Sequence, residues 1–168
     1  MTKTLLTLAA ASLALFVIAD SASAAQGHIR ARGANGVAAA GSHNGNSYIR
    51  GRGHTTNADG STTAASGGAY RLNNGATGVR GSTTTVNPDG SASHQGGFGT
   101  QGPRGSAEST GSATRNADGT YSGSRSTDVE AANGNGYAGS TTYDSSTGVS
   151  HNGSCHDATG ATIACPSR

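Results

Sequence analysis
A turn signal recurs about every 15 residues along most of this chain, and no other feature constrains its fold so tightly. Asn-x-Asp-Gly occurs at 57–60 (NADG), 87–90 (NPDG) and 116–119 (NADG), in steps of 30 and 29 residues. A degenerate copy, Asp144-Ser-Ser-Thr-Gly148, lies 29 residues further on. Midway between these stand Asn44-Gly45, Asn74-Gly75, Arg104-Gly105 and Asn133-Gly134. The flanks repeat as well: residues 44–61 align with 74–91 without a gap, sharing an internal Arg-Gly.

Asn-Gly and Asp-Gly favour tight hairpin turns because both tolerate positive φ, so type I′ turns are expected at the repeats. The turn residues are then Asn57, Asp59, Gly60, Asn87, Asp89, Gly90, Asn116, Asp118 and Gly119. Between turns the chain is rich in Thr, Ser, Val and Tyr, with no apolar stripe at helical spacing. Residues 120–131 alternate with period two. Tyr121, Gly123, Arg125, Thr127, Val129 and Ala131 occupy one set of positions, and Ser122, Ser124, Ser126, Asp128 and Glu130 the other. That is the pattern of a strand with one drier face, and Tyr137, Gly139, Thr141 and Tyr143 continue it. The expected fold is all-β: a β-meander or β-solenoid of about eight strands in strand-turn units of about 15 residues.

The alternative is a largely disordered chain, because large apolar side chains are few. Beyond residue 24 they are Ile29, Val37, Ile49, Leu72, Val79, Val86, Phe98, Val129, Val149 and Ile163, with five tyrosines. Such a count is too low for a packed globule, while a net charge of only +2 removes the self-repulsion that keeps many disordered chains expanded. A sheet of this composition must gain stability from stacking between repeats, from a partner or from self-association, against a backbone entropy of ~1–2 kcal/mol per residue.

The N-terminus reads as an export signal. Lys3 precedes an apolar run over residues 5–19, and Ala22-Ser23-Ala24 forms a small-x-small cleavage site, so the mature chain is expected to start at Ala25. The run is too short for a membrane span, which needs about 20 residues, and no later segment could cross as a helix. The expected organisation is a signal peptide at 1–24, a flexible segment at 25–43, the repeat region at 44–148 and a disulfide hairpin at 149–168. Localisation outside the cytoplasm (secreted, cell-surface or periplasmic) follows from that signal.

Cys155 and Cys165, the only cysteines, bracket a segment symmetric about Gly160. Facing one another across a hairpin, they would be close enough for a disulfide, expected in an oxidising compartment and worth roughly 2.5–3 kcal/mol. His151, Cys155, His156 and Cys165 would also suit zinc, but adjacent Cys155 and His156 point to opposite faces of a strand.

Other motifs carry little chemistry. The GxGxxG match at 97–102 is followed by Pro103 rather than a helix, and the single carboxylate of each NxDG makes a poor calcium site. No nucleophile elbow surrounds any Ser, His or Asp, so neither an enzyme nor a cofactor is expected. Exported Gly/Ser/Asn-rich β-repeats share a physical strategy with curlin-type fibre subunits, but the glutamine ladder of that family is absent, with Gln only at 26, 95 and 101.

Two classes of function remain. The first is a structural or interaction protein of the cell surface or matrix, self-associating as a matrix or adhesin component. The second is a binding module for an anionic glycan or cell-envelope polymer. After residue 24 every basic residue apart from histidine is arginine, whose planar fork suits sulfate, phosphate and carboxylate. Eight interspersed acidic residues and the lack of a basic run favour a merely solubilising role for these arginines and argue against nucleic acid.

Overall fold
The computed structural model describes residues 26–165; the expected export segment and its cleavage site lie outside them. Eleven strands follow one another in a single open antiparallel sheet whose spatial order is the chain order. They are β1 (Gly27–Gly33), β2 (Gly36–His43), β3 (Asn46–Thr56), β4 (Thr62–Arg71), β5 (Thr77–Val86), β6 (Ala92–Gly102), β7 (Gly105–Arg115), β8 (Tyr121–Ala131), β9 (Gly136–Asp144), β10 (Gly148–His156) and β11 (Thr162–Ile163). No helix occurs among the described residues.

The all-β expectation holds as a meander. The solenoid and the largely disordered chain do not, because each strand pairs antiparallel with its immediate neighbours through short turns rather than coiling into stacked rungs. The count is eleven rather than about eight. Two of the additional strands, β1 and β2, occupy the segment expected to be flexible: they pair from Gly27↔Ser42 to Gly33↔Gly36, with Ala34-Asn35 as the turn. The small side chains of β2 and the exposed ones of β1 do not prevent the backbone ladder from forming.

The sheet is one layer thick, so it has no conventional core. Among the described residues the only buried apolar side chain is Cys155. Two glycines are buried in the ladder, Gly41 and Gly78, and both lie beneath tyrosine rings.

The NxDG turns are not type I′. Only Gly60, Gly90 and Gly119 have positive φ there, near 83–88°, and the preceding aspartates do not. Gly60 N–H donates to the Asn57 carbonyl (3.0 Å) and Asn57 N–H to the Ser61 carbonyl (2.8 Å), the pattern of a three-residue loop with a glycine bulge. One left-handed residue per turn suffices, and glycine supplies it. Asn44-Gly45 alone has positive φ at both residues, 50° and 75°.

The same loop type explains the cysteine pairing. Gly160 N–H donates to the Asp157 carbonyl, which centres the turn on Ala158-Thr159 rather than on Gly160. Cys155 therefore pairs with Ile163, and Cys165 lies two residues beyond. The Cys155–Cys165 disulfide forms nonetheless, with a Cα separation of 5.2 Å.

Candidate functional site
Antiparallel register decides which side chains share a face, because directly opposed residues project to the same side. Three rows running across the strands define one face. The first reads His28, Gly41, Tyr48, Tyr70, Gly78, Thr100, Ala107, Val129, Tyr137, Cys155, Ile163. The second contains Arg30, Ala39, Arg50, Gly68, Arg80, Phe98 and Ser109 in consecutive strands. The third begins Arg32, Val37, Arg52 and ends Gly111, Arg125, Thr141, His151. This tyrosine face carries all five tyrosines, Phe98, and Arg30, Arg32, Arg50, Arg52, Arg80, Arg115 and Arg125. No strand residue on it is Asp or Glu.

The opposite, small-residue face holds the strand carboxylates Glu108, Asp128, Glu130 and Asp144, and a single arginine, Arg71. Its middle is a furrow of four side-by-side glycines, Gly51, Gly67, Gly81 and Gly97. Toward the C-terminus it becomes a hydroxyl surface that includes Thr110 bonded to Ser126 (3.2 Å); nearer the N-terminus Thr63 is bonded to Thr85 (3.0 Å).

Tyrosines lie against glycines instead of forming a core. A Cβ placed on Gly41 would fall 2.7 Å from the Tyr48 ring, and Cβ atoms on Gly78 and Gly123 would overlap Tyr70 and Tyr143. The rings cover backbone that a strand glycine leaves bare. Tyr70 Oη is bonded to Thr100 Oγ1 across Gly78 (2.8 Å), and Tyr137 Oη to His151 Nε2 (3.0 Å).

Ser109 is the one fully buried polar side chain of the sheet interior, 1% exposed. Its hydroxyl donates to the Ser126 carbonyl (2.8 Å) and accepts from Arg125 Nε (2.8 Å), with Thr127 Oγ1 at 2.8 Å as third partner. One donor and two acceptor positions are all a hydroxyl has, so the group is saturated. The Arg125 guanidinium is thereby held down beside an open depression of about 480 Å³ lined by Arg80, His94, Phe98, Arg125 and Tyr143. Gly96 and Gly111 floor it.

The sequence-predicted turn residues gather at one end of the sheet, since they close alternate hairpins. Each makes a closed ring with a fifth residue that the four-residue motif omitted. Asn57 Nδ2 donates to Ser61 Oγ (2.8 Å), Ser61 Oγ donates to Asp59 Oδ1 (2.7 Å), and Asp59 Oδ1 also accepts Ser61 N–H (2.9 Å). Asn87, Asp89 and Ser91 repeat it, as do Asn116, Asp118 and Thr120. The signal was present, because a Ser or Thr follows every NxDG: NADGS, NPDGS and NADGT. The neighbouring hydroxyl, and then its backbone N–H, holds Asp59, Asp89 and Asp118 below the ordinary carboxylate value. Asp144 is lowered likewise by Ser146, and Asp157 by Thr159. With their acceptor sites turned onto their own loops, these aspartates pin turns.

His151 projects onto the tyrosine face with Cys155, whereas His156 lies on the other, and both cysteines are consumed in the disulfide. No group of three or more His, Cys, Asp or Glu suited to holding a metal occurs among the described residues. No family model, curated protein or solved structure matches this chain.

Proposed function
We propose that this chain is an exported structural or interaction protein that works by self-association of its sheets, as a matrix or adhesin component. One observation carries the reading. Across the first five strands the small-residue face presents an unbroken apolar row, Ile29, Ala40, Ile49, Ala69 and Val79, with Ala31, Ala38, Gly51, Gly67 and Gly81 beside it. Ile29 is 69% exposed and Val79 48%. A single layer has no second element to cover such a row, and covering it removes apolar surface from water at about 25 cal/mol per Å². The same row of a second copy is its natural cover, and the adjoining glycines allow close approach of two backbones. Stacking of this kind is how extended sheets with small side chains gain stability.

Sedimentation of the mature, oxidised chain across a dilution series tests this, with far-UV circular dichroism on the same samples. The expected result is a mass above the monomer, and an association at least tenfold weaker in Ile49→Glu/Val79→Glu. A wild-type chain that stays monomeric at high concentration with a full β spectrum would sink the proposal.

A further inference from the structure
We infer that the tyrosine face is a binding surface for a linear anionic polysaccharide bearing sulfate or carboxylate groups. This does not depend on self-association, which uses the other side of the sheet.

The first ground is charge segregation. The chain carries a net charge of only +2, yet seven arginines project from one face and all the strand carboxylates from the other. Interspersed in sequence, the two signs are separated in space by strand parity. An anion approaching the tyrosine face meets arginine without a competing carboxylate beside it, which is charge complementarity for a polyanion.

The second ground is spacing. Arg30, Arg50 and Arg80 lie in one row on every second strand, hence about 10 Å apart. A regular row suits a polymer with regularly repeated acid groups, and the arginine fork binds sulfate or carboxylate through two parallel hydrogen bonds. The third ground is what lies between the charges. Tyr48, Tyr70 and Phe98 flank the row, 40–42% exposed, and Arg50 sits 5.7 Å from the Tyr48 ring centroid. Rings pressed against glycine offer a flat apolar surface to the C–H face of a sugar ring. The depression beside Phe98 adds Arg125, already oriented by Ser109. The choice of polysaccharide over nucleic acid rests on the expected export of the chain.

Equilibrium binding of the mature protein to heparin (sulfated), polygalacturonate (carboxylated), neutral dextran and an oligothymidylate tests the inference, with sheet content and mass monitored in parallel. Heparin or polygalacturonate should bind with an affinity that falls steeply with salt, and dextran should not bind. Heparin carries both sulfate and carboxylate, so polygalacturonate binding as tightly as heparin shows that carboxylate suffices, and binding of heparin alone shows that sulfate is required. Arg50→Ser/Arg80→Ser should weaken binding at least tenfold, and Arg50→Lys/Arg80→Lys by an intermediate factor. Arg71→Ser removes one positive charge from the other face and should change affinity less than twofold. An equal loss per charge from Arg71→Ser would reduce the effect to net charge and overturn the assignment. Absence of glycan binding at low salt, or tighter binding of the oligonucleotide, would overturn it too. Ile49→Glu/Val79→Glu should retain glycan affinity per chain, which separates failure here from failure of the self-association reading.

Discussion

The two faces of this sheet are cut from the same strands and held by the same ladder, yet they use glycine in opposite ways. On the tyrosine face Gly41, Gly78 and Gly123 lie beneath rings, and the aromatic side chain replaces the Cβ that is missing. On the small-residue face Gly51 and Gly81 stand open in the furrow; a Cβ on Gly51 would meet nothing closer than 3.5 Å and one on Gly81 nothing closer than 3.9 Å. One face has spent its glycines on internal covering, the other has left them free for approach from outside. A coreless sheet can thus be locally close-packed on one side and unfinished on the other.

The largest expected effect breaks this contrast directly. Gly78→Val should force Tyr70 off its neighbour and cost ~1–3 kcal/mol in urea denaturation. Gly81→Val, on the open face, should be neutral or mildly stabilising, since strand glycine is unfavourable and the space is empty. Equal losses at both positions would mean that the rings contribute nothing specific. A smaller effect is expected at Ser109. Ser109→Ala leaves the Arg125 Nε–H without its acceptor and removes a buried hydroxyl, for a loss of about 1–2 kcal/mol. Thr110→Ala, next in sequence but on the other face, should fall within about 0.5 kcal/mol.

The smallest effect concerns the turn aspartates, which belong to neither face. Their folded pKa values are lowered, so the stability they contribute is complete above the unfolded carboxylate range and is lost as pH falls through the lowered values. Urea midpoints should therefore be insensitive to these groups near neutrality and decline only in acid. Asp89→Asn/Asp118→Asn should flatten that acid limb, and an unaltered limb would remove these turns from the account.

Much of the fold was legible in the sequence. The turn periodicity is local chemistry repeated, and a hairpin needs little else. The alternation over 120–131 put Tyr121, Arg125 and Val129 together, as they stand on the tyrosine face. The cysteine pair was legible from its number and from the short turn-forming segment between the two residues. What escaped was whatever depends on counting residues through a turn. The loop with one bulged glycine shifted Cys155 onto Ile163; loops of that length preserve the parity of the strand that follows, whereas the two-residue turn Pro103-Arg104 reverses it. The tyrosine face uses even positions from β3 to β6 and odd positions from β7 to β10. Arginines that looked scattered along the chain therefore could not be assembled into a row until the register of every hairpin was known. The strands of residues 27–43 escaped for two reasons: the Ala, Gly and Ser of β2 carry almost no periodic signal, and the alternation of β1, with His28, Arg30 and Arg32 against Ile29 and Ala31, lies before the first repeat and was passed over.

The strictly sequential strand order also decides how the molecule answers a pull. Force applied at its two ends peels the sheet from the β1 edge, because each strand is bonded only to its chain neighbours and the Cys155–Cys165 disulfide ties β11 to β10 at the opposite edge. The hydrogen bonds yield in succession, as in a zipper, and not all at once in shear. Each strand that peels away releases about 33 Å of chain for ten residues. Tethered between two anchors, such a sheet would behave as a soft, stepwise-extensible spring that rewinds from whatever hairpins remain.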